Sequence, residues 1–349
     1  MSWLQAPDYW LTRLLFERAL AILYLIAFIV TINQFRPLLG ERGLLPVPEF
    51  VRRVPFRWAP SLFHLHYSDR FLGALAWLGT LLSAAIVVGL LDVVPPWVSI
   101  PAWLLIWAIY LSIVNVGQIF YAFGWESLLL EMGLLAAFFG GGRDTPPALL
   151  IWLLRWVLFR LEFGAGMIKM RGDPCWRNLT CLYYHHETQP MPNPLSWYFH
   201  HLPKPMHKIE VLGNHVAQLV VPFGLFLPQP IASVAGAIIV VTQGWLLLSG
   251  NFSWLNAATI TLAITAFDDR ALSRLLPVKP AALAPLPLWW QGLSVALALV
   301  VVVLSFWPVH NLLSRRQLMN YAFNRIHFVN TYGAFGSITR VRYEVVLEG

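Results

Sequence analysis

Long apolar runs separated by polar segments dominate the pattern of this chain. A helix that crosses a bilayer needs about 20 predominantly apolar residues. Runs of this kind predict membrane helices over 11–34, 71–91, 97–121, 125–140, 147–170, 208–227, 231–250, 252–267 and 288–309. The fourth and eighth are short, which indicates tilted, re-entrant or partly spanning segments. The pattern predicts an all-α polytopic membrane protein, a bundle of about nine transmembrane helices within a range of seven to nine.

Two long loops and a terminal segment interrupt the apolar pattern. The loops cover 36–70 and 171–207, so we divide the chain into a transmembrane bundle over 1–310 and a C-terminal extramembrane segment over 311–349. The terminal stretch VRYEVVLEG alternates, with one face formed by Val341, Tyr343, Val345 and Leu347. Alternation predicts a half-buried β-strand. Since one strand is not stable alone, we expect a β-rich domain that is completed by further chain or by a second chain.

Composition supports a membrane protein. Of the 349 residues, 58% are hydrophobic and 12% are charged, whereas soluble domains are about 25% charged. The net charge of +7 lies mostly in loops and helix ends, where anionic lipid headgroups explain it. Because no basic tract or RNA-binding motif is present, we predict membrane lipid as a partner and no nucleic acid.

Ionisable residues fall inside two adjacent predicted helices, 125–140 and 147–170: Glu126, Glu131, Arg155, Arg160, Glu162 and Lys169. Arg155, Glu162 and Lys169 are seven residues apart and therefore form one stripe on their helix. Such residues usually face the bundle interior. One interpretation is a set of structural ion pairs that fixes the two helices, with Lys169 snorkelling to the interface. The other is a functional site, with Lys169, Glu162, Arg160 and Glu131 as candidates.

Both cysteines, Cys175 and Cys181, lie in the loop 171–207. A disulfide between them is one interpretation and a pair of free structural thiols is another. The spacing is not that of a redox pair, and a zinc site with His185 and His186 would have no familiar spacing, so we predict no metal site. A disulfide favours a non-cytoplasmic loop, whereas the six arginines of 36–70 favour the cytoplasmic side.

Several stretches resemble the lipase maturation factor family of polytopic membrane proteins. They are YAFGWESLLLEMG (121–133), FRLEFGAGMIKMRGDPCWRNLTCLYYHHETQPMPNP (159–194), SGNFSWLNAATITLAITAFDD (249–269) and NRIHFVNTYGAFGSITRVRYEVVLEG (324–349). The resemblance implies a factor that assists the folding and assembly of secreted lipases. It also implies the endoplasmic reticulum membrane in a eukaryote, and the corresponding location in a bacterium is the inner membrane.

The loop 171–207 is the expected client-binding region under this resemblance. Aromatic and arginine side chains of the loop are expected to contact the client, namely Arg171, Trp176, Arg177, Tyr183, Tyr184, Trp197 and Tyr198. Rigid aromatic side chains provide apolar contact at a small ordering cost. The sequence thus predicts a non-enzymatic, chaperone-like assembly factor without a cofactor, whose partners are secreted proteins such as lipases.

A more distant resemblance supports an alternative function. The stretch GAGMIKM (164–170) is similar to a membrane segment of the horizontally transferred transmembrane helix group, which includes the vitamin K-dependent γ-carboxylase. That resemblance implies a membrane enzyme that acts on a lipophilic cofactor or substrate, with Lys169 as the base. A cavity beside Lys169 favours the enzyme, whereas packed ion pairs favour the assembly factor.

Overall fold

The helices of the protein are seen in a computed structural model, which describes residues 2–278, 282–319, 324–343 and 345–346. Within these residues the α-helices are α1 (Trp10–Leu39), α2 (Val47–Arg53), α3 (Asp69–Val87), α4 (Pro96–Val116), α5 (Gly124–Ala136), α6 (Ala148–Arg171), α7 (Pro174–Arg177), α8 (Leu182–Thr188), α9 (Ser196–His200), α10 (Lys204–Leu219), α11 (Val221–Gly224), α12 (Ile231–Ser249), α13 (Leu255–Ala263), α14 (Asp269–Leu272), α15 (Leu288–Leu304) and α16 (Phe306–Leu313). The predicted all-α class is confirmed for this part of the chain.

Five helical segments of the described chain are long and apolar enough to cross a membrane. They are Pro7–Leu39, Asp69–Val87, Pro96–Val116, Ile231–Ser249 and Leu288–Leu313. These segments do not support the predicted count of about nine. Helix α5 has 13 residues and α13 has nine, α10 is amphipathic and carries lysine and glutamate, and α6 contains several ionisable residues.

Helix α6 is the centre of the bundle. Sixteen of its 24 residues are buried, because α5, α10, α11, α13, α15 and α16 all pack against it. A helix surrounded by other helices places its polar groups against protein rather than lipid, so those groups need hydrogen-bond partners from the surrounding elements.

Three polar segments meet at one end of the bundle, and we call this surface the loop face (residues 40–68, 172–203 and 324–343). The amide of Asn115 at the end of α4 donates to the carbonyl oxygens of Pro60 (2.8 Å) and Arg325 (3.1 Å). The indole of Trp176 donates to the carbonyl oxygen of Phe335 (2.7 Å). The arginine-rich loop and the cysteine-bearing loop therefore lie on the same side.

The C-terminal segment contains no β-strand within the described residues. Val341, Tyr343, Val345 and Val346 are all exposed, so the prediction of a half-buried strand is wrong for these positions, and Glu344 and 347–349 lie outside the described residues. Alternation alone supplies no partner for the backbone N–H and C=O groups of a strand. Further upstream, Phe328, Asn330 and Tyr332 are buried against the bundle.

Candidate functional site: a polar cavity beside Lys169

The stripe of charges on α6 is buried, and other elements supply the hydrogen-bond partners of its members. Arg155 donates to the carbonyl oxygens of Thr265 (2.9 Å) and Leu225 (3.1 Å) and to the hydroxyl of Tyr9 (3.1 Å). These carbonyls lie where the apolar helices end, so Arg155 joins the ends of several elements. Glu126 of α5 accepts a hydrogen bond from the hydroxyl of Tyr110.

Arg160 and Glu131 form a buried ion pair between α6 and α5, each side chain being 1% exposed. The same groups also bind the C-terminal segment. Arg160 donates to the carbonyl oxygen of Asn330 (2.5 Å), and Glu131 accepts from the backbone N–H of Asn330 (3.1 Å) and from the hydroxyl of Tyr332 (2.7 Å). The pair thus fastens the C-terminal segment to the bundle as well as α5 to α6.

Two glycines of α6 allow close approach of other backbone and side chains. A Cβ atom at Gly164 would lie 2.2 Å from the carbonyl oxygen of Tyr332, and one at Gly166 would lie 2.7 Å from a methyl group of Leu219. At Gly172, just beyond α6, it would lie 1.9 Å from the carbonyl oxygen of Gly336. These glycines therefore serve packing between elements.

A partly open cavity of about 110 Å³ lies between α6, α8, α10, α12 and α13. Lys169 and Glu162 both line it, together with amide side chains and a rim of aromatic rings. The lining includes Asn214, Gln218, Gln243, Asn256, Trp176, Trp245, Phe252 and Phe335. The sequence did not single out the amides, because amide side chains on apolar helices show no pattern until their neighbours are known.

Amides surround both charged groups of the cavity. The Lys169 ammonium donates to Asn214 Oδ1 and Gln218 Oε1, each at 2.9 Å, and lies 4.9 Å from the ring centre of Trp176. Glu162 accepts from the amide of Gln243 at 2.6 Å. Neutral amides satisfy these groups while leaving the lysine beside open space, which allows a bound molecule to reach it.

The far side of the cavity is formed by histidines of α8. His185 and His186 are buried and line the cavity with Glu210 of α10. Burial lowers the pKa of His185 to about 4, with further contributions from His186 and Lys169, so this side chain is neutral at physiological pH. His207, one turn before Glu210, lies against the same carboxylate (3.2 Å). The sequence alone could have grouped His207 with Glu210, because residues three positions apart lie on one face of a helix.

The two cysteines lie in a small core beneath the loop face. Their sulfur atoms are at bonding distance and their Cα atoms are 4.8 Å apart, within the range of a disulfide. Trp176 and Val211 are buried in the same core. Because the cysteines approach one another, they are not grouped with the histidines as metal ligands.

The predicted client-binding residues divide into buried and exposed groups. Trp176 is buried, and Arg171 donates to the carbonyl oxygen of Leu312 and to Gln317, both at 2.8 Å. The remaining predicted residues face outward or are half-buried: Arg177, Tyr183, Tyr184, Trp197 and Tyr198. Of these, Trp197 and Tyr198 are 62% and 64% exposed. The segment 171–207 is also largely helical rather than a loop, since α7, α8 and α9 lie within it.

Comparison with known proteins places this arrangement among membrane proteins. Residues 11–274 match the family described as "Lipase maturation factor transmembrane domain". This match and the five apolar helices show that the protein is an integral membrane protein. No solved structure matches the chain.

Curated relatives match nearly the whole chain. It is 41% identical to lipase maturation factor 1 of Bos taurus, over 99% of this chain and 68% of that protein, and 40% identical to that of Mus musculus, over 99% and 67%. The chain is 33% identical to lipase maturation factor 2 of Homo sapiens, over 75% of this chain and 41% of that protein. The chain belongs to the lipase maturation factor family.

Proposed function

We propose that the protein assists the maturation of secreted lipases as a membrane-bound assembly factor, and that the loop face holds the immature client. The names of its relatives support lipases as the client class. A disulfide between Cys175 and Cys181 is included in the proposal, because it places the loop face on the oxidising side of the membrane. Thiol labelling that requires prior reduction tests this disulfide.

One observation supports client binding most directly: a fixed apolar turn on the loop face. Met191, Trp197 and Tyr198 are exposed there. The turn is held by Asn193, whose amide donates to the carbonyl oxygen of Gly250 (3.0 Å), and by Ser196, whose hydroxyl donates to that of Ser249 (2.8 Å). A rigid, exposed apolar surface is typical of a protein-binding site, and its rigidity lowers the entropic cost of binding.

Substitution of the exposed aromatic residues tests the proposal. The variant Trp197→Ala/Tyr198→Ala should decrease the yield of active secreted lipase about tenfold when it replaces the wild-type factor in lipase-secreting cells, since loss of about 1.4 kcal/mol of binding corresponds to that factor. Trp97→Ala is the matched control, because Trp97 is also exposed but lies at the start of α4, away from the loop face. Unchanged lipase yield at equal factor abundance would exclude this surface.

A second candidate function is supported by the cavity. Lys169 faces open space and is held by amides, an arrangement that suits a base acting on a lipophilic molecule bound between the helices. The variant Lys169→Arg separates the two functions, because arginine keeps the charge but does not act as a base. An assembly factor should keep its lipase yield in this variant, whereas an enzyme should lose it while remaining folded.

A further inference from the structure

Three buried side chains converge beside the cavity at the junction of α8 and α10. Nδ1 of His207 lies 3.2 Å from Oε2 of Glu210, and Nε2 of His186 lies 4.0 Å from the same oxygen. All three ligand atoms lie within 4.8 Å of one another. The side chains of His186, His207 and Glu210 are only 5%, 2% and 8% exposed.

Outer contacts orient two of these side chains into the cluster. Nε2 of His207 contacts the carbonyl oxygen of His200 at 3.2 Å. When Nε2 carries the ring proton and donates to this oxygen, Nδ1 keeps a lone pair that is available to a metal ion. The indole of Trp245 donates to Oε1 of Glu210 at 2.6 Å and leaves Oε2 directed at the histidines. A histidine that donates to a carbonyl and a carboxylate fixed by a second donor are the usual surroundings of metal ligands.

The third side chain has a polar atom with no hydrogen-bond partner. Nε2 of His186 is buried and has none among the described residues, and its 4.0 Å separation from Glu210 exceeds hydrogen-bond distance. A buried polar atom without a partner costs about 1–3 kcal/mol. Because this atom lies 4.0 Å from the same Glu210 oxygen that His207 contacts, a cation bound between the three side chains would satisfy it.

We propose that His186, His207 and Glu210 form a binding site for a divalent transition metal ion, with zinc as the metal that the ligands favour. Two imidazole nitrogens and one carboxylate oxygen suit zinc, whereas calcium and magnesium favour oxygen ligands. Zinc–ligand bonds of about 2.0–2.1 Å in a tetrahedron separate the ligand atoms by about 3.3 Å. The separation of His207 from Glu210 (3.2 Å) matches this value, whereas His186 lies 4.0 Å from the same oxygen, so His186 must move inwards to complete the geometry.

The proposed metal site borders the cavity. Two of its three ligands, His186 and Glu210, are lining residues of the same cavity as Lys169. Three protein ligands with an open fourth position leave room for an oxygen ligand from the cavity. The inference is independent of the client proposal, since it concerns a different set of residues.

Zinc titration of the full chain, purified with an affinity tag that contains no histidine, tests the site. The wild-type protein should bind about one zinc per chain in calorimetry and retain it after dialysis. His207→Ala and Glu210→Gln should abolish this binding. Trp245→Phe should weaken it about tenfold, because outer contacts contribute that much to metal affinity. His201→Ala is the matched control, since His201 is exposed and lies in the same segment.

Cobalt titration of the wild-type protein keeps the test decisive if a variant fails to fold. Bound Co²⁺ in this site should show the visible absorption of tetrahedral coordination, and zinc should displace it. Absence of saturable zinc binding by the wild-type chain, or a cobalt spectrum without tetrahedral absorption, would overturn the proposal. So would zinc binding that is unchanged in folded His207→Ala and Glu210→Gln.

Discussion

At the scale of single residues, the buried ion pair between Arg160 and Glu131 connects three parts of the chain. It joins two helices and binds the backbone of Asn330 at the same time. Charges this deeply buried need a countercharge and further hydrogen bonds, and this pair has both, although Nε of Arg160 has no hydrogen-bond partner among the described residues. Loss of one partner therefore affects both the helix pair and the C-terminal segment.

Glu131→Gln should destabilise the protein by about 3–5 kcal/mol, because it leaves the Arg160 guanidinium buried without a countercharge. Thermal unfolding in detergent, referenced to the wild type, measures the change. The exposed ion pair of Arg53 and Glu49 provides the control. Glu49→Gln should lower the free energy of unfolding by less than about 1 kcal/mol. Equal stability of the two variants would contradict the central role of Glu131.

His327 should make the attachment of the C-terminal segment sensitive to pH. Its ring nitrogens contact Ser127 (2.9 Å) and Asn115 (2.9 Å), and burial lowers its pKa to about 4. A lowered histidine pKa means that the folded state favours the neutral form. Its contribution to stability is therefore complete above about pH 6.5 and is lost as the pH falls towards about 4.

Hydrogen exchange of residues 324–343 across this pH range measures the effect. Exchange should increase as the pH falls, after correction for the intrinsic pH dependence of exchange. In His327→Gln the protection should no longer depend on pH, whereas the exposed-site variant His201→Gln should behave as the wild type. A pH-independent profile in the wild type would rule out His327 as the titrating group.

At the scale of elements, α6 shows what the sequence could predict and what it could not. The seven-residue spacing of Arg155, Glu162 and Lys169 predicted one buried stripe, since helical periodicity is a local property. Their partners could not be predicted, because they are carbonyls and amides far away in the chain, such as Thr265 and Gln218. The convergence of α8 with α10 is likewise a property of the tertiary fold.

The length and hydropathy of an apolar run also proved insufficient to count membrane helices. Helix α13 is packed within the protein, with six of its nine residues buried, and a helix that contacts protein on most sides resembles a spanning helix in composition. The alternating pattern of the C-terminal residues was also insufficient, since it predicted a strand where Val341, Tyr343 and Val345 are exposed. An alternating pattern predicts a strand only when a neighbouring strand is present to pair with it.

Gly164→Ala should loosen the C-terminal segment, because the added methyl group would lie 2.2 Å from the backbone oxygen of Tyr332. Since the obstacle is backbone, the segment must shift to accommodate it. Limited proteolysis should show faster cleavage within 324–343. Gly213→Ala is the control: no atom lies within 4 Å of its added Cβ, so it should stabilise helix α10 by up to about 1 kcal/mol. Equal protease resistance of both variants would contradict this packing.

At the scale of the whole molecule, the loop face gathers features that the sequence assigned to opposite sides of the membrane. The arginine-rich loop and the cysteine pair lie together there, with the exposed turn that includes Trp197. Since they share one face, only one of the two sequence rules applies to it. The proposed function requires the non-cytoplasmic side.

Glycosylation tests this orientation. Asn178, Leu179 and Thr180 form an acceptor sequence, and Asn178 is exposed on the loop face. Asn251, Phe252 and Ser253 form a second acceptor sequence beside the same face, since Gly250 contacts Asn193. Expression in mammalian cells should give a protein whose electrophoretic mobility changes on endoglycosidase treatment, and the double variant Asn178→Gln/Asn251→Gln should remove the change. An acceptor sequence introduced near Leu275, at the opposite end of the bundle, should stay unmodified. Modification only at the introduced site would reverse the orientation.

The close contacts of Gly164 with Tyr332 and of Gly172 with Gly336 fix two lengths of chain against each other. Eight residues of helix rise about 12 Å, and four residues of extended chain reach at most about 13–14 Å. Four nearly extended residues therefore just span the eight residues of helix, and three residues, which reach about 10–11 Å, would fall short. In family members, insertions and deletions should therefore be very rare between the positions of Gly164 and Gly172 and between those of Tyr332 and Gly336. The segments that flank these two spans should tolerate them.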